Sequence, residues 1–187
     1  MCGQYNFQGK THVSCLRKFG MEGKFSCYSY QGPVKKALVQ MKYHHSYKIA
    51  EELAQICLYG VKSYTQLINN CALVSIPTKT QRLNWRGFNQ AEIIAKKWSN
   101  ELNIPYLKEV LIKYKSTLPQ ARLDKSQREK NIKNAFKIKT EKYEIIKRFE
   151  NILLVDDVWT TGSTMREAAK VLKRNGAKHV WGITIAG

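Results

Sequence analysis

The sequence predicts an α/β protein with a mostly parallel central sheet flanked by helices. Short, mostly apolar runs at residues 72–76, 152–155 and 180–185 have the length and composition of buried strands. Segments with apolar residues at helical spacing separate these runs, and strands that alternate with helices form parallel sheets. With 187 residues and a 43% apolar composition, the chain can bury a core of its own, which excludes a disordered chain and a disulfide-stapled miniprotein.

The first half of the chain is expected to contain two strands and three helices. Residues 25–30 alternate aromatic and small side chains, as strands do, and residues 72–76 form a strand that ends at Pro77. Pro33 suits the first turn of a helix, residues 47–58 predict a second helix, and Asn89 would cap a third. The residues expected to face the core from these helices are Val34, Leu38, Met41, Ile49, Leu53, Ile56, Ala91, Ile94, Ala95 and Trp98.

The second half begins with a break in the helical pattern at residues 103–105. Residues 108–148 are basic and only weakly periodic, which predicts a long, partly mobile loop followed by a strand near residues 135–138. A buried strand at residues 152–155, a helix at residues 163–173 and a strand at residues 180–185 complete the predicted fold.

Charge is the most unusual property of the composition. The chain has 32 Lys and Arg against 14 Asp and Glu, a net charge of +18, and such a field favours polyanions: nucleic acid, phosphates or anionic membrane. Lysine richness can also reflect genome composition alone. The longest aliphatic run is far too short to span a bilayer. Because no basic-then-apolar leader opens the sequence, we expect a cytoplasmic location.

Residues 1–24 are expected to form a small segment that looks like part of a zinc knuckle. Cys2, His12 and Cys15 are ligand types that Zn²⁺ takes, and His12 and Cys15 have the spacing of a ligand turn. A tetrahedral site needs four ligands, and three are visible. Three alternatives follow: a start upstream of Met1, a three-ligand site, or a segment that binds no metal and whose cysteines pack as small apolar side chains.

The most specific signal is the segment of residues 152–164. Four aliphatic residues form a strand buried on both faces, and Asp156 and Asp157 leave its carboxyl end, where ligands bind in open α/β sheets. A hydroxyl-rich turn with Gly162 then leads into a helix, whose amide groups and dipole favour a phosphate. Carboxylates suit the hydroxyls of an attached sugar, directly or through Mg²⁺. The alternative is an ordinary strand–turn–helix with solvated acids and capping threonines.

The segment resembles the signature of type I phosphoribosyltransferases, whose donor is phosphoribosyl pyrophosphate (PRPP). Further blocks are similar to the ComF family, which is associated with natural competence and DNA uptake. The residues that carry this second resemblance are Val74, Ser75, Ile76, Pro77, Arg82, Arg86, Gly87, Phe88, Asn89, Gln90, Thr117, Pro119, Gln120, Leu123, Arg128, Asn131, Ala135 and Phe136. The resemblance covers residues 25–187, a phosphoribosyltransferase-like domain, and the incomplete knuckle departs from the family pattern.

The resemblance implies a role for each part of the site. Asp156 and Asp157 would hold the ribose hydroxyls, and the residues of the turn would cradle the 5′-phosphate: Thr160, Thr161, Gly162, Ser163 and Thr164. Residues 77–80 would form the pyrophosphate loop. Cations in and after this loop would act on the leaving pyrophosphate together with Mg²⁺: Lys79, Arg82 and Arg86. Arg122 and Arg128 lie where the superfamily has its mobile catalytic loop. For Lys79 and for this loop a solvated basic surface is an equal alternative, and Asn89 is a helix cap or a ligand.

Three functional hypotheses follow. The first is an enzyme of the glycosyltransferase class that transfers a phosphoribosyl group from PRPP, with Mg²⁺, to an unidentified acceptor. The second is a binding module for incoming single-stranded DNA, in contact with a competence helicase or channel, because Lys and Arg neutralise phosphates independently of sequence. The third is a salvage or regulatory phosphoribosyltransferase that acts on purine or pyrimidine bases.

Overall fold

Parallel strands form the central sheet in the computed structural model, which describes residues 9–12, 15, 19–43, 46–66, 68–78, 87–114 and 125–187. The strands of this sheet are β1 (Gly23–Tyr28), β2 (Cys71–Ser75), β5 (Asn151–Val158) and β6 (His179–Ala186). Their order is β1–β6–β5–β2, and each neighbouring pair is parallel. In the middle of the sheet, Leu153 of β5 is paired with Leu73 on one side and Trp181 on the other. The predicted α/β fold class is confirmed.

Three long helices cover one face of the sheet. They are α1 (Gly32–Tyr43), α2 (Tyr47–Thr65) and α3 (Gln90–Leu102). Leu38 and Met41 of α1 and Trp98 of α3 are fully buried, and they pack with Leu153 and Val155 of β5 in one core cluster. Ser46 caps α2, because its side chain accepts a hydrogen bond from the backbone N–H of Ile49.

The opposite face carries one long helix and several short elements. The long helix is α6 (Ser163–Arg174). The short elements are β3 (Leu111–Lys113), α4 (Lys125–Ile132), β4 (Phe136–Ile138), a 3₁₀ turn (Thr140–Lys142) and α5 (Tyr143–Lys147). Strands β3 and β4 pair in an antiparallel ribbon. Met165 and Leu172 of α6 form a second core cluster with Phe136 of the ribbon and Leu154 of β5.

The predicted strands and helices are confirmed in type, and α2 differs most in length. The long loop predicted at the start of the basic segment was wrong for its described residues, which form β3 and α4, because β3 pairs with β4 and α4 packs against α6. Helix α2 continues to Thr65, seven residues beyond the predicted end, because Val61 and Tyr64 extend its buried stripe. Ile56 was expected to face inward, and this was wrong: its side chain is 60% exposed. The buried stripe runs through Leu53 and Cys57, and Ile56 lies about 100° away from Cys57 around the helix.

The segment that precedes β1 is joined to the sheet. Lys10 forms an antiparallel bridge with Gly23, and the hydroxyl of Thr11 donates a hydrogen bond to the carbonyl oxygen of Met21. Among the residues that the model describes, none of the helices has both the length and the apolar character needed to cross a bilayer.

Candidate functional site

The two acidic residues of the predicted signature stand at the carboxyl end of β5, in the middle of the sheet. Successive side chains of a strand point to opposite faces, so adjacent carboxylates enter different surroundings. The carboxylate of Asp157 lies on the α1 side, and its Oδ2 is 2.8 Å from Nζ of Lys42 in the last turn of α1. Asp157 is 8% exposed and the Lys42 side chain is 27% exposed, so this ion pair is partly shielded from water.

Lys42 remains charged in this position. Burial alone would lower the pKa of its ammonium, but the carboxylates of Asp157 and Asp156 outweigh that cost and raise the pKa above 10.5. The cation therefore forms a fixed part of the acidic pair.

Asp156 lies on the opposite face of the sheet. Its Oδ1 accepts a hydrogen bond of 2.9 Å from the backbone N–H of Asp157. Burial, followed by repulsion from Asp157, raises the pKa of Asp156 from 3.8 to about 7, although Lys42 and Lys113 act in the other direction. A carboxylate in this condition gains from a hydroxyl donor or a cation at its free oxygen.

The turn between β5 and α6 brings the backbone of Gly162 close to the ring of Trp159. Gly162 has φ +71°, and a Cβ atom there would stand 2.2 Å from Cζ2 of Trp159. Both the backbone conformation and the close approach therefore require glycine. The Thr161 hydroxyl lies 3.0 Å from the Ser163 hydroxyl and accepts a hydrogen bond from the Ser163 backbone N–H at 3.4 Å. Thr160 is exposed, and Thr164 is partly exposed.

The loop after β2 is held against α3 by Asn89. The side-chain amide of Asn89 donates to the carbonyl oxygen of Ile76 at 3.0 Å, and its oxygen accepts from the Thr78 hydroxyl at 2.9 Å. Asn89 occupies the N-cap position of α3 without a side-chain capping bond. Asn89 thus stands at the N-cap position, but its side chain braces Ile76 and Thr78 and does not cap the helix.

Several predicted site residues lie outside the part of the chain that the model describes. Of the loop at residues 77–80, Lys79 and Thr80 are outside it. Arg128 lies on α4, but its side chain is not among the described groups. The remaining predicted site residues outside the described part are Cys2, Arg82, Arg86 and Arg122. Their roles stay predictions.

Two lysines that sequence reasoning did not single out act on the acidic pair. Lys42 contacts Asp157, and Lys113, on β3, acts electrostatically on Asp156. The ammonium of Lys113 also lies 5.5 Å from the ring centroid of Phe136. Lys42 was detectable in principle as the last cation of an amphipathic helix, whereas nothing in the local sequence marks Lys113.

The zinc site predicted for the N-terminal segment stays a prediction. The backbone N–H of Cys15 donates to the carbonyl oxygen of His12 at 2.8 Å, as in the expected ligand turn, and Cys2 is outside the described residues. Within the described ranges, no group of three or more His, Cys, Asp or Glu side chains is placed to hold a metal ion.

The two carboxylates of the acidic pair, Asp156 and Asp157, do fit a Mg²⁺ ion whose remaining ligands are water and substrate phosphates.

Trp159 and His179 both make packing or hydrogen-bond contacts within the fold. Trp159 is 8% exposed within the core cluster on the α6 side. Its ring lies 5.0 Å from Nζ of Lys24. Nδ1 of His179 is 3.3 Å from a carboxylate oxygen of Glu22. Glu22 directly precedes β1 and is far from the acidic pair in the sequence.

Comparison with known proteins agrees with this fold. Residues 89–186 match the family model of the phosphoribosyl transferase domain, which includes the acidic pair, the turn and α6. A parallel sheet with a strand–acid–turn–helix signature at its carboxyl edge thus defines the class of protein: a phosphoribosyltransferase-type domain.

Curated relatives narrow the class. The chain is 33% identical to competence protein F of Haemophilus influenzae over 162 residues, 84% of this chain and 70% of the relative. It is 34% identical to the DNA utilization protein YhgH of Escherichia coli K12 over 155 residues, 81% of this chain and 66% of the relative. The corresponding protein of Salmonella typhimurium is 32% identical over 154 residues. The chain belongs to the ComF family, and it spans about two thirds of the length of these relatives.

Proposed function

We propose that this chain binds a phosphoribosyl ligand, PRPP or a close relative, together with Mg²⁺, at the carboxyl edge of β5. The observation that carries the proposal is the placement of the acidic pair, Gly162 and the start of α6 within one continuous segment. The membership of the chain in a phosphoribosyl transferase domain family supports the same ligand class.

Each part of the segment has a chemical task in this proposal. Asp156 accepts hydrogen bonds from ribose hydroxyls, because its carboxylate lies beside Asp157 and gains from a donor at its free oxygen. The first turn of α6 receives the 5′-phosphate, where backbone amides and the helix dipole favour an anion. Mg²⁺ supplies positive charge to the pyrophosphate group when the ligand is bound. Asn89 keeps the loop after β2 at the edge where the pyrophosphate would lie.

Transfer of the phosphoribosyl group to an acceptor is the enzymatic form of this proposal. Bond formation at C1 of the ribose and loss of pyrophosphate need a site that excludes water and stabilises the departing charge. Lys113, on β3, acts electrostatically on Asp156 and adds a positive charge to this side of the site. The acceptor is unassigned, and a turnover assay across purine and pyrimidine bases separates a salvage enzyme from a binding protein.

Isothermal titration with PRPP and Mg²⁺ tests ligand binding. We expect saturable heat with the wild-type protein, and a loss of at least about tenfold in affinity in Asp156→Asn, as expected for a lost charge-assisted hydrogen bond. Glu101→Gln, which removes an exposed acid at the end of α3, is the matched control and leaves the affinity unchanged. Absence of heat with the wild-type protein would reject the proposal.

We further propose that the chain contacts single-stranded DNA in an uptake pathway. The support is the net charge of +18, the names of the relatives, which refer to competence and DNA utilization, and one surface feature. Tyr114 is 57% exposed at the end of β3, and Nζ of Lys137 lies 5.6 Å from its ring centroid. An exposed aromatic ring beside a cation is the combination that stacks a base and neutralises its phosphate.

Fluorescence anisotropy with a single-stranded oligonucleotide tests this contact at several salt concentrations. We expect affinity that falls steeply with salt, and a loss of about tenfold in Tyr114→Ala, within the range measured for one stacked base. Tyr59→Ala is the matched control, since Tyr59 is 85% exposed on α2. Binding that is independent of salt, or equal in the two variants, counts against a role for the ribbon.

A further inference from the structure

The acidic pair has a cation in direct contact with one of its members: Lys42 contacts Asp157. Its Nζ lies 2.8 Å from Oδ2 of Asp157, with 27% of the lysine side chain and 12% of the aspartate side chain exposed. The ammonium is also close enough to Asp156 for that carboxylate to act on it. A surface ion pair between flexible side chains would lack this shielding.

The fold fixes Lys42 in place. Leu38 and Met41, the apolar residues that precede it on α1, are both 0% exposed, so the last turn of the helix cannot move without disturbing the core. The carboxyl end of a helix also favours a cation. Lys42 is therefore held beside the pair by packing as well as by charge.

Cations among the described residues act on both members of the acidic pair. Lys42 contacts the carboxylate of Asp157, and Lys113 acts electrostatically on Asp156. Mg²⁺ gives up its water reluctantly and is usually bound by one or two carboxylates together with substrate phosphates. A free Mg²⁺ ion at this site would meet an ammonium already in contact with one of the two carboxylates.

We propose that Lys42 is a positioning residue of the phosphoribosyl site: its ammonium occupies the cation position beside Asp157 and keeps free Mg²⁺ out of the acidic pair. This inference rests on the proposed function for the identity of the ligand, and it makes a separate statement about Mg²⁺ alone. Asp157 then serves to hold Lys42, and Asp156 is the carboxylate that receives the sugar hydroxyls.

Calorimetry with MgCl₂ alone tests the statement about the metal. In Lys42→Met the pair loses its resident cation, and we expect free Mg²⁺ to bind at least about tenfold more tightly than in the wild-type protein. The matched control is Lys36→Met, which removes an exposed charge from the same helix and leaves Mg²⁺ binding at the wild-type level. Lys42→Arg, which keeps the charge, also stays at the wild-type level.

Folding of the variant is checked separately by circular dichroism. Should Lys42→Met fail to fold, Lys42→Gln keeps a hydrogen-bond donor for Asp157 without the charge, and the same gain in Mg²⁺ affinity is expected. A purely structural role for Lys42 would lower stability without any gain in Mg²⁺ affinity. Unchanged Mg²⁺ binding in the folded neutral variants therefore overturns the inference.

Titration of PRPP in the presence of Mg²⁺ separates this inference from the proposed function. Where the wild-type protein binds PRPP, we expect Lys42→Met to bind it at least about tenfold more weakly and Lys42→Arg to recover part of the loss. PRPP binding equal to wild type in Lys42→Met overturns the positioning role. If the wild-type protein fails to bind PRPP while Lys42→Met still gains affinity for Mg²⁺, the proposed function is rejected. The role of Lys42 as the cation beside Asp157 is then supported.

Discussion

The two faces of the central sheet are covered by different kinds of structure. One face is covered by α1, α2 and α3, which have 12, 19 and 13 residues. On the other face α6 is joined by the three-residue strands β3 and β4 and by the five-residue helix α5. The acidic pair stands where the faces meet: Asp157 is held by Lys42 on the long-helix side, and Asp156 lies on the ribbon side. The long helices thus hold Asp157 in place through Lys42. The side of the sheet that carries β3 and β4 is left for the ligand.

Truncation in the two cores measures the difference in rigidity. Trp98 is 0% exposed, and its Nε1 donates to the carbonyl oxygen of Ala54 at 2.9 Å, so Trp98→Ala leaves a large cavity between long helices. We expect a loss of about 3–5 kcal/mol in the free energy of unfolding, measured with urea. Phe136→Ala, on the ribbon, should lie at the lower end of that range, because short elements relax around a cavity. An equal or larger loss at Phe136 would contradict the comparison.

The turn into α6 is expected to tolerate no side chain at Gly162. Gly162→Ala combines a positive φ with a clash against the buried ring of Trp159, and we expect a loss of about 2–4 kcal/mol in unfolding free energy. Gly32→Ala is the matched control: Gly32 has φ +53° at the start of α1, but a Cβ there meets no atom within 4 Å. Its cost should be about 1 kcal/mol, from backbone strain alone. Equal costs at the two positions would remove the contact with Trp159 from the explanation.

Asp157→Asn should destabilise the protein. The change leaves the shielded ammonium of Lys42 without its anionic partner, and we expect a loss of about 1–3 kcal/mol at neutral pH, measured by urea denaturation. The double variant Asp157→Asn/Lys42→Met removes both charges and should recover part of the loss. No recovery in the double variant would show that the two side chains are not coupled.

Asp156→Asn should raise the free energy of unfolding, whereas Asp157→Asn lowers it. The size of the gain should depend on pH. Since the pKa of Asp156 is raised from 3.8 to about 7 in the folded state, this group binds its proton more tightly in the folded than in the unfolded chain. Its contribution to stability is therefore lost as pH rises from about 4 to 7. At pH 8 we expect Asp156→Asn to be more stable than wild type by about 1–2 kcal/mol, and at pH 4 to be equal. A gain that does not change with pH would contradict the assignment.

The local part of the site was predictable from the sequence, and its long-range part was not. The strand, the acidic pair, the turn and the start of α6 are contiguous, so periodicity and turn chemistry were sufficient to place them. The Lys42–Asp157 pair joins residues 115 positions apart, and only the packing of α1 across the sheet brings them together. Asn89 shows the same limit at short range: its residue type predicts a cap, but the carbonyl of Ile76 and the hydroxyl of Thr78 compete for its side chain.

The basic segment of residues 108–148 was the least predictable part of the fold. Strand β3 has three residues, and α4 is strongly polar, so neither carries enough periodicity to identify it. These elements are defined by tertiary contacts. The backbone N–H of Asn134, between α4 and β4, donates to the carboxylate of Glu167 on α6 at 2.8 Å. The burial of Ile132 and Phe136 likewise depends on α6, which lies more than 25 residues further along the chain.

The strand order β1–β6–β5–β2 has a consequence for synthesis on the ribosome. Strand β6 inserts between β1 and β5, so β1 obtains its parallel neighbour only after more than 150 further residues have been translated. Until then the nascent chain exposes the edge of β1 and the apolar surfaces of α1 and α2 that β6 will cover. Closure over such a sequence separation is slow, and the waiting polypeptide is open to aggregation. Newly made molecules of this protein should therefore depend on chaperones more than molecules of similar size whose sheets are assembled from consecutive strands.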